Sequence, residues 1–153
     1  MTKKLKILFL CTGNSCRSQI AEGWVRHLKG DIIEAHSAGI NAQGLNPLAV
    51  KVMAEVGVDI ANYQSKFVGT MLNQDWDVVI TVCGHAHETC PMFSGNASVI
   101  HVGFDDPQAL AQNCTSEADA LIHYRRVRDE IHAFVEALPS AVEKLLPTLE
   151  AQR

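Results

Sequence analysis

No stretch of this chain holds the roughly 18 apolar residues that a helix needs to cross a bilayer, so a membrane-embedded function is not expected. An excess of positive charge is also lacking. Lys and Arg number 13 against 17 Asp and Glu, a formal charge of −4, which argues against the broad basic face of a nucleic-acid binder. Any anion bound here must be held by local geometry, because the overall field is slightly repulsive. A cleavable leader is not expected either. Lys3-Lys4 precedes an apolar run of only Leu5 to Leu10, and no small-residue cleavage site follows. Bulky Phe9 and Leu10 before Cys11 also speak against a lipidated cysteine. The five cysteines are odd in number and too few for a disulfide scaffold, so they are core residues, metal ligands or catalysts. Repeats, low-complexity tracts and linkers are absent. With 153 residues, 47% of them hydrophobic, the chain suits a single cytoplasmic domain over 1–153 with a core of its own.

Strands and helices alternate along the chain. Lys6 to Leu10 is a continuous apolar run ending at Cys11, as in a buried parallel strand. Thr12 to Cys16 forms a small polar turn, and Ser18 to Leu28 then shows helical spacing of Ile20, Trp24 and Leu28. A second strand is expected over Ile32 to Ser37, closed by Ala38-Gly39. Asn46-Pro47 opens a helix, with Asn46 as cap and Pro47 in the first turn, and Gly57 stops it. Residues 59–75 are mixed. Trp76 to Cys83 reads as the clearest strand, β-branched and again ending in a cysteine. Ser98 to Val102 is a shorter strand, before the loop Gly103 to Gln108. Thr115 or Ser116 caps a long helix through about Leu138, Pro139 interrupts it, and Val142 to Leu149 adds a short terminal helix. Such alternation predicts a mostly parallel α/β sheet, with ligands at the carboxyl ends of its strands. Cys11, Cys83 and the 103–108 loop all fall at that edge.

The segment Cys11-Thr12-Gly13-Asn14-Ser15-Cys16-Arg17-Ser18 joins a strand to a helix. A Cys-x5-Arg pattern alone is weak, but this context sharpens it. Successive backbone N–H groups can curl inward as an anion nest, and the helix adds its positive end. Arg17 can grip two oxygens of a tetrahedral oxyanion. The same field favours the Cys11 thiolate, and Ser18 can donate a hydrogen bond to that sulfur as it leaves. Gly13 supplies the backbone freedom of a tight cradle.

Cys11 to Ser18, with Gln19-Ile-Ala-Glu22, resembles the signature loop of the low-molecular-weight tyrosine phosphatases and their arsenate reductase relatives. Ser37-Ala38-Gly39, Asn46-Pro47, the strand before Cys83, Gly103-Phe-Asp-Asp-Pro107 and Arg125 to Glu130 extend the resemblance over about residues 5 to 135. It implies a three-layer α/β sandwich with a four-stranded parallel sheet. It also implies that Asp106, the aspartate before Pro107, is the general acid. Asp105 is read as structural, through backbone hydrogen bonds. Gln108-Ala109-Leu110 stands where the phosphatases carry aromatic residues, a departure from the tyrosine phosphatase pattern.

Cys83-Gly-His85-Ala-His87-Glu-Thr-Cys90 separates the two activities. A phosphatase needs one cysteine and water, whereas reducing arsenate to arsenite needs two electrons, which thiols supply. The resemblance to thioredoxin-coupled arsenate reductases at Cys11, Cys83 and Cys90 implies a relay. Cys11 attacks arsenate, Cys83 attacks Cys11 and releases arsenite, and Cys90 attacks Cys83, leaving a disulfide for thioredoxin (or a glutaredoxin) to reduce. If residues 83–90 were helical, the two cysteines would lie about 10.5 Å apart along the axis, beyond the roughly 7 Å that a disulfide tolerates. Any helix there must unwind when they join. Two alternatives remain open: a phosphatase, or a zinc site built from Cys83, His85, His87 and Cys90. The reductase reading needs no cofactor and no metal.

Some relatives hold potassium beside the loop through an asparagine, a glutamate, a serine and an aspartate. Asn14, Glu22 and Ser37 match three of these, and Lys66 stands in place of the aspartate. Its ammonium is expected to fill the cation position, neutralising Glu22 and stiffening Asn14. Cys114 reads as an incidental thiol, Arg125 to Asp129 as a solvated charged face, and His27, His36, His101, His123 and His132 as surface or packing residues.

Overall fold

The run Ile7 to Leu10 is completely buried, because it forms the inner part of a strand with a neighbour on each side. The computed structural model describes residues 3–145. In it, β1 (Leu5–Cys11) is followed by α1 (Arg17–Leu28), β2 (Ile33–Gly39), α2 (Pro47–Glu55), a 3-10 turn (Val68–Met71), β3 (Val78–Thr81), α3 (Gly84–Glu88), β4 (Ser98–His101), α4 (Pro107–Leu110), α5 (Glu117–Glu136) and α6 (Ser140–Leu145). The four strands form one sheet in the order β2-β1-β3-β4, and every pairing is parallel. Helices flank it: α1 packs on β1, β2 and α5, and α3 packs on β1 and β3. Among the described residues no helix is long and apolar enough to cross a membrane.

The strand order reverses between β1 and β3. Chain connections leave those two carboxyl ends in opposite directions, which opens a crevice there. Cys11 closes β1, and Val82 donates to the Leu10 carbonyl at 2.9 Å. The fold therefore brings Cys83 beside the first turn of the Cys11 loop.

Local chemistry explains most boundaries. Asn46 caps α2 by accepting from Leu48 N and Ala49 N at 2.8 and 3.3 Å, ahead of Pro47. At the other end Gly57 takes φ 81°, and Val58 N and Gly57 N return to the Met53 and Ala54 carbonyls. That paired return closes the helix with a left-handed glycine. Ser116 caps α5 through Asp119 N at 3.1 Å.

Four expectations shift. Ala38 and Gly39 do not close β2 but belong to it, paired with Leu10 and Cys11. The strand expected over Trp76 to Cys83 runs only from Val78 to Thr81, because β4 offers four partners and Cys83 turns to cap α3. The terminal helix begins at Ser140 rather than Val142, and residues 146–149 of that expectation lie outside the described residues. Arg128 is not on a solvated face. It is 8% exposed, with Nη1 donating to the Val52 carbonyl and Glu55 Oε1, each at 3.0 Å, so it ties α5 to α2.

Candidate active site

The loop between β1 and α1 is curled by bonds made on its outer side. Ile40 N, Asn41 N, Gln43 N and Asn46 N donate to the carbonyls of Cys11, Thr12, Gly13 and Ser15 at 2.8–3.0 Å. The Ser65 hydroxyl donates to the carbonyls of Gly13 and Asn14 at 2.8 and 3.0 Å. With its carbonyls engaged outward, the loop leaves its N–H groups as donors for an anion. Asn14 makes the tight bend, at φ 49°, a conformation that asparagine tolerates better than most residues. Gly13 serves differently from expectation. Its φ is not positive, and a Cβ there would run into the Gln43 side chain. Its small size leaves room for that side chain against the loop.

A cavity of about 580 Å³ opens over the loop, lined by Cys11, Thr12, Cys16, Arg17, Gln43 and Asp106 among others. Asn14 and Ser18, expected to bind the oxyanion, lie completely buried beneath it. Their geometry fixes the orientation of the Asn14 amide. Asn14 Oδ1 accepts from Lys66 N at 2.8 Å and from Gln19 Nε2 at 3.1 Å, so its amide nitrogen faces Ser18 and donates to Oγ at 2.7 Å. Ser18 Oγ lies 2.9 Å from Cys11 Sγ, and with its neighbour Asn14 acting as donor, its own proton is free for that sulfur when Cys11 is a thiolate.

Arg17 stands at the helix start with Nη1 donating to the Phe104 carbonyl at 3.1 Å and Nη2 3.9 Å from Asp106 Oδ2. The acid loop is fixed to the sheet by Val102 N and Phe104 N, which donate to the Thr81 and Val82 carbonyls. Asp106 Oδ1 caps α4 through Gln108 N at 3.0 Å, which leaves Oδ2 facing the cavity side. Asp105 is held by the Arg126 guanidinium at 3.0 Å, not by the backbone bonds expected of it.

Cys83, 6% exposed, lies against the cradle. Its sulfur is 3.2 Å from the Thr12 hydroxyl and accepts from Ala86 N at 3.4 Å. Cys90 is half-buried beyond the end of α3, and burial pushes its thiol up. Cys16 shares the cavity wall, but burial first, and Cys11 second, push its thiol well above the ordinary range. It stays protonated and is a poor nucleophile. Among the described residues no three His, Cys, Asp or Glu side chains converge in a way fit to hold a metal. His87 points to Thr81 and His101 instead.

Around the expected cation position, Glu22 is surrounded by protein groups. Ser37 Oγ donates to Glu22 Oε1 at 2.6 Å, the Lys66 ammonium lies 3.8 Å from the same oxygen, and Arg26 binds the other at 3.0 Å. Burial pulls the Lys66 pKa down, against the opposing pull of Glu22. One detail differs from expectation: Asn14 is held by the Lys66 backbone N–H, whereas the ammonium turns to the Gln64 carbonyl at 2.8 Å.

Several supporting residues escape a reading of sequence. Gln43, Asn46 and Ser65 brace the cradle from distant segments, and Asn46 Nδ2 also donates to the Tyr124 hydroxyl at 2.9 Å. Gln19 was adjacent to the motif, and its amide bonds to Asn14 and to the Gln64 carbonyl.

Residues 6–153 match the model of the low molecular weight phosphotyrosine protein phosphatases. The chain belongs to that family. Within it, an arsenate reductase of Halalkalibacterium halodurans is 51% identical over 131 residues, covering 86% of this chain and 91% of that protein. A solved arsenate reductase in its oxidized state superposes with TM-score 0.72 at 31% identity, over 87% of this chain and 95% of the other. A low molecular weight protein tyrosine phosphatase from T. tengcongensis gives TM-score 0.70 at 25% identity, over 92% and 99%. The family fold thus serves phosphatases and arsenate reductases alike, and this chain's similarity in sequence is to the reductases.

Proposed function

We propose that this chain is an arsenate reductase, with Cys11 as nucleophile, Cys83 and Cys90 as electron relay, and thioredoxin as the reductant in a cytoplasmic setting. The observation that carries the reading is the Cys83 sulfur on the Thr12 hydroxyl, one residue from Cys11, at the lip of an oxyanion cradle. A phosphatase has no use for a second buried thiol there. The similarity to arsenate reductases supports the same choice.

Arsenate enters the ring of loop N–H groups from Thr12 to Arg17, with the Arg17 guanidinium across its oxygens. The Cys11 thiolate forms a bond to arsenic, and a hydroxyl leaves as water with a proton from Asp106. Cys83 then attacks the Cys11 sulfur. The sulfur–arsenic bond breaks with its electron pair left on arsenic, which departs as arsenite, and a Cys11–Cys83 disulfide remains. Cys90 attacks Cys83 and restores Cys11 as a thiolate, with Ser18 stabilising the departing sulfur. Thioredoxin's dithiol reduces the Cys83–Cys90 bond. Gln43 and Gln108 at the cavity wall suit a small hydrated oxyanion better than a phenyl ring.

The test is multi-turnover arsenate reduction with a thioredoxin system, beside an aryl phosphate assay. Wild type is expected to turn over continuously, and Cys90→Ser to release about one arsenite per chain and stop. Sustained turnover by Cys90→Ser, or aryl phosphate hydrolysis without arsenate turnover, would refute it.

A further inference from the structure

Helix α3, between the two relay cysteines, has five residues, too few to be stable alone. Its order depends on how it is docked. Ala86 is buried in the core, and Cys83 caps the first turn. The third attachment involves two histidines and a threonine that the catalytic scheme does not use. Thr81, the last residue of β3, is completely buried. Its Oγ1 lies 3.0 Å from His87 Nδ1 on α3, 2.9 Å from His101 Nδ1 on β4, and 3.3 Å from the Ile100 carbonyl. The two imidazoles are tilted against each other, with centroids 4.8 Å apart. A hydroxyl has one proton and two lone pairs, so it can serve all three neighbours at once. It donates to the Ile100 carbonyl, which can only accept, and accepts from the two imidazoles when their Nδ1 atoms carry protons.

We infer that His87 is a positioning residue that latches the relay segment to the sheet in the dithiol state and must let go when Cys83 and Cys90 join. The inference rests on the relay proposed above. His87 stands four residues after Cys83 and three before Cys90, and its N–H closes the helical turn on the Cys83 carbonyl at 3.1 Å. Only Gly84–Glu88 are helical, with Cys90 two residues beyond, yet those five residues alone rise about 7.5 Å, and a disulfide across them requires the cysteine Cα atoms to come within about 7 Å. Opening the helix moves His87 off Thr81. The latch therefore stabilises the dithiol over the disulfide and makes Cys83–Cys90 easier to reduce. Both rings are exposed on their outer sides, so losing His87 removes the latch without cutting into the core.

The experiment uses the Cys11→Ser chain, which isolates the Cys83–Cys90 pair, equilibrated in glutathione redox buffers and read by alkylation and peptide mapping. His87→Ala and Thr81→Val should each shift the equilibrium toward the disulfide by roughly 3- to 10-fold, the weight of one net hydrogen bond. That corresponds to about 15 to 30 mV more negative. His87→Asn places a polar atom close to the Nδ1 position and should restore the wild-type value, which a merely structural role would not require. A disulfide that forms normally but with an equilibrium unchanged in His87→Ala overturns the latch and leaves the relay standing. A Cys83–Cys90 bond that never forms, even in the otherwise unmodified Cys11→Ser chain, overturns the relay and the latch with it.

Discussion

The direction of the Ser18 proton is set by a group that never touches substrate, and this can be reversed with a single atom. In Asn14→Asp the oxygen that accepts from Lys66 N and Gln19 Nε2 remains. The nitrogen that donates to Ser18 at 2.7 Å becomes a second acceptor. Ser18 then turns its proton to the new carboxylate, and Cys11 Sγ loses the donor 2.9 Å away. A hydrogen bond to a charged partner contributes about 1.5–3 kcal/mol, so each step in which Cys11 acts or leaves as thiolate should slow by roughly 10- to 150-fold. Ser18→Ala removes the same donor and should slow it comparably. The informative variant is the double one. If Asn14 acts through Ser18, Asn14→Asp adds little once Ser18 is alanine, and any remaining loss measures direct repulsion between the carboxylate and the anion. Single-turnover arsenite release in a quenched-flow instrument reads all three. A wild-type rate in Asn14→Asp, or losses in the two single variants that simply add, would refute the proton assignment.

Other consequences follow from the same geometry. Because the Lys66 ammonium and Arg26 already sit on Glu22 at 3.8 and 3.0 Å, turnover should change less than about twofold when sodium is exchanged for potassium, the variation left to general ionic screening; a strong potassium requirement would show that the site takes a free ion. Burial raises the Cys90 thiol above its ordinary value, so its attack on the Cys11–Cys83 disulfide is limited by scarce thiolate. Conversion to Cys83–Cys90, trapped by acid and mapped by mass, should accelerate roughly tenfold per pH unit from 7 to 9. A flat profile over that range would contradict the burial argument.

What could be read from the sequence was what is local. Cys11 to Ser18 closes on itself within one turn and one helix start, and Asn46-Pro47 and Ser116 cap helices through bonds two or three residues away. The parallel sheet followed from the alternation of strands and helices, with the all-apolar run Ile7 to Leu10 reading as a strand covered on both faces. Long-range pairing was illegible. The apolar pattern of Trp76 to Cys83 does not say where β4 runs out of partners. The charged run Arg125 to Asp129 does not say that α2 lies over Arg128 and offers it the Val52 carbonyl. The supports from Gln43, Asn46 and Ser65 depend on three segments meeting around one loop. Likewise, nothing about His87 or His101 in sequence reveals a shared threonine hydroxyl.

The outward engagement of the loop carbonyls by residues 40–46 has a further consequence for selectivity. A receptacle splinted from behind is expected to keep its shape on filling, so a tetrahedral dianion should enter at little ordering cost, phosphate on nearly the same terms as arsenate. Discrimination between these look-alikes is therefore deferred to the chemistry. On the relay proposed above, only arsenic, once joined to sulfur, would accept the electron pair that Cys83 drives toward it, and a mistaken phosphate would diffuse out again.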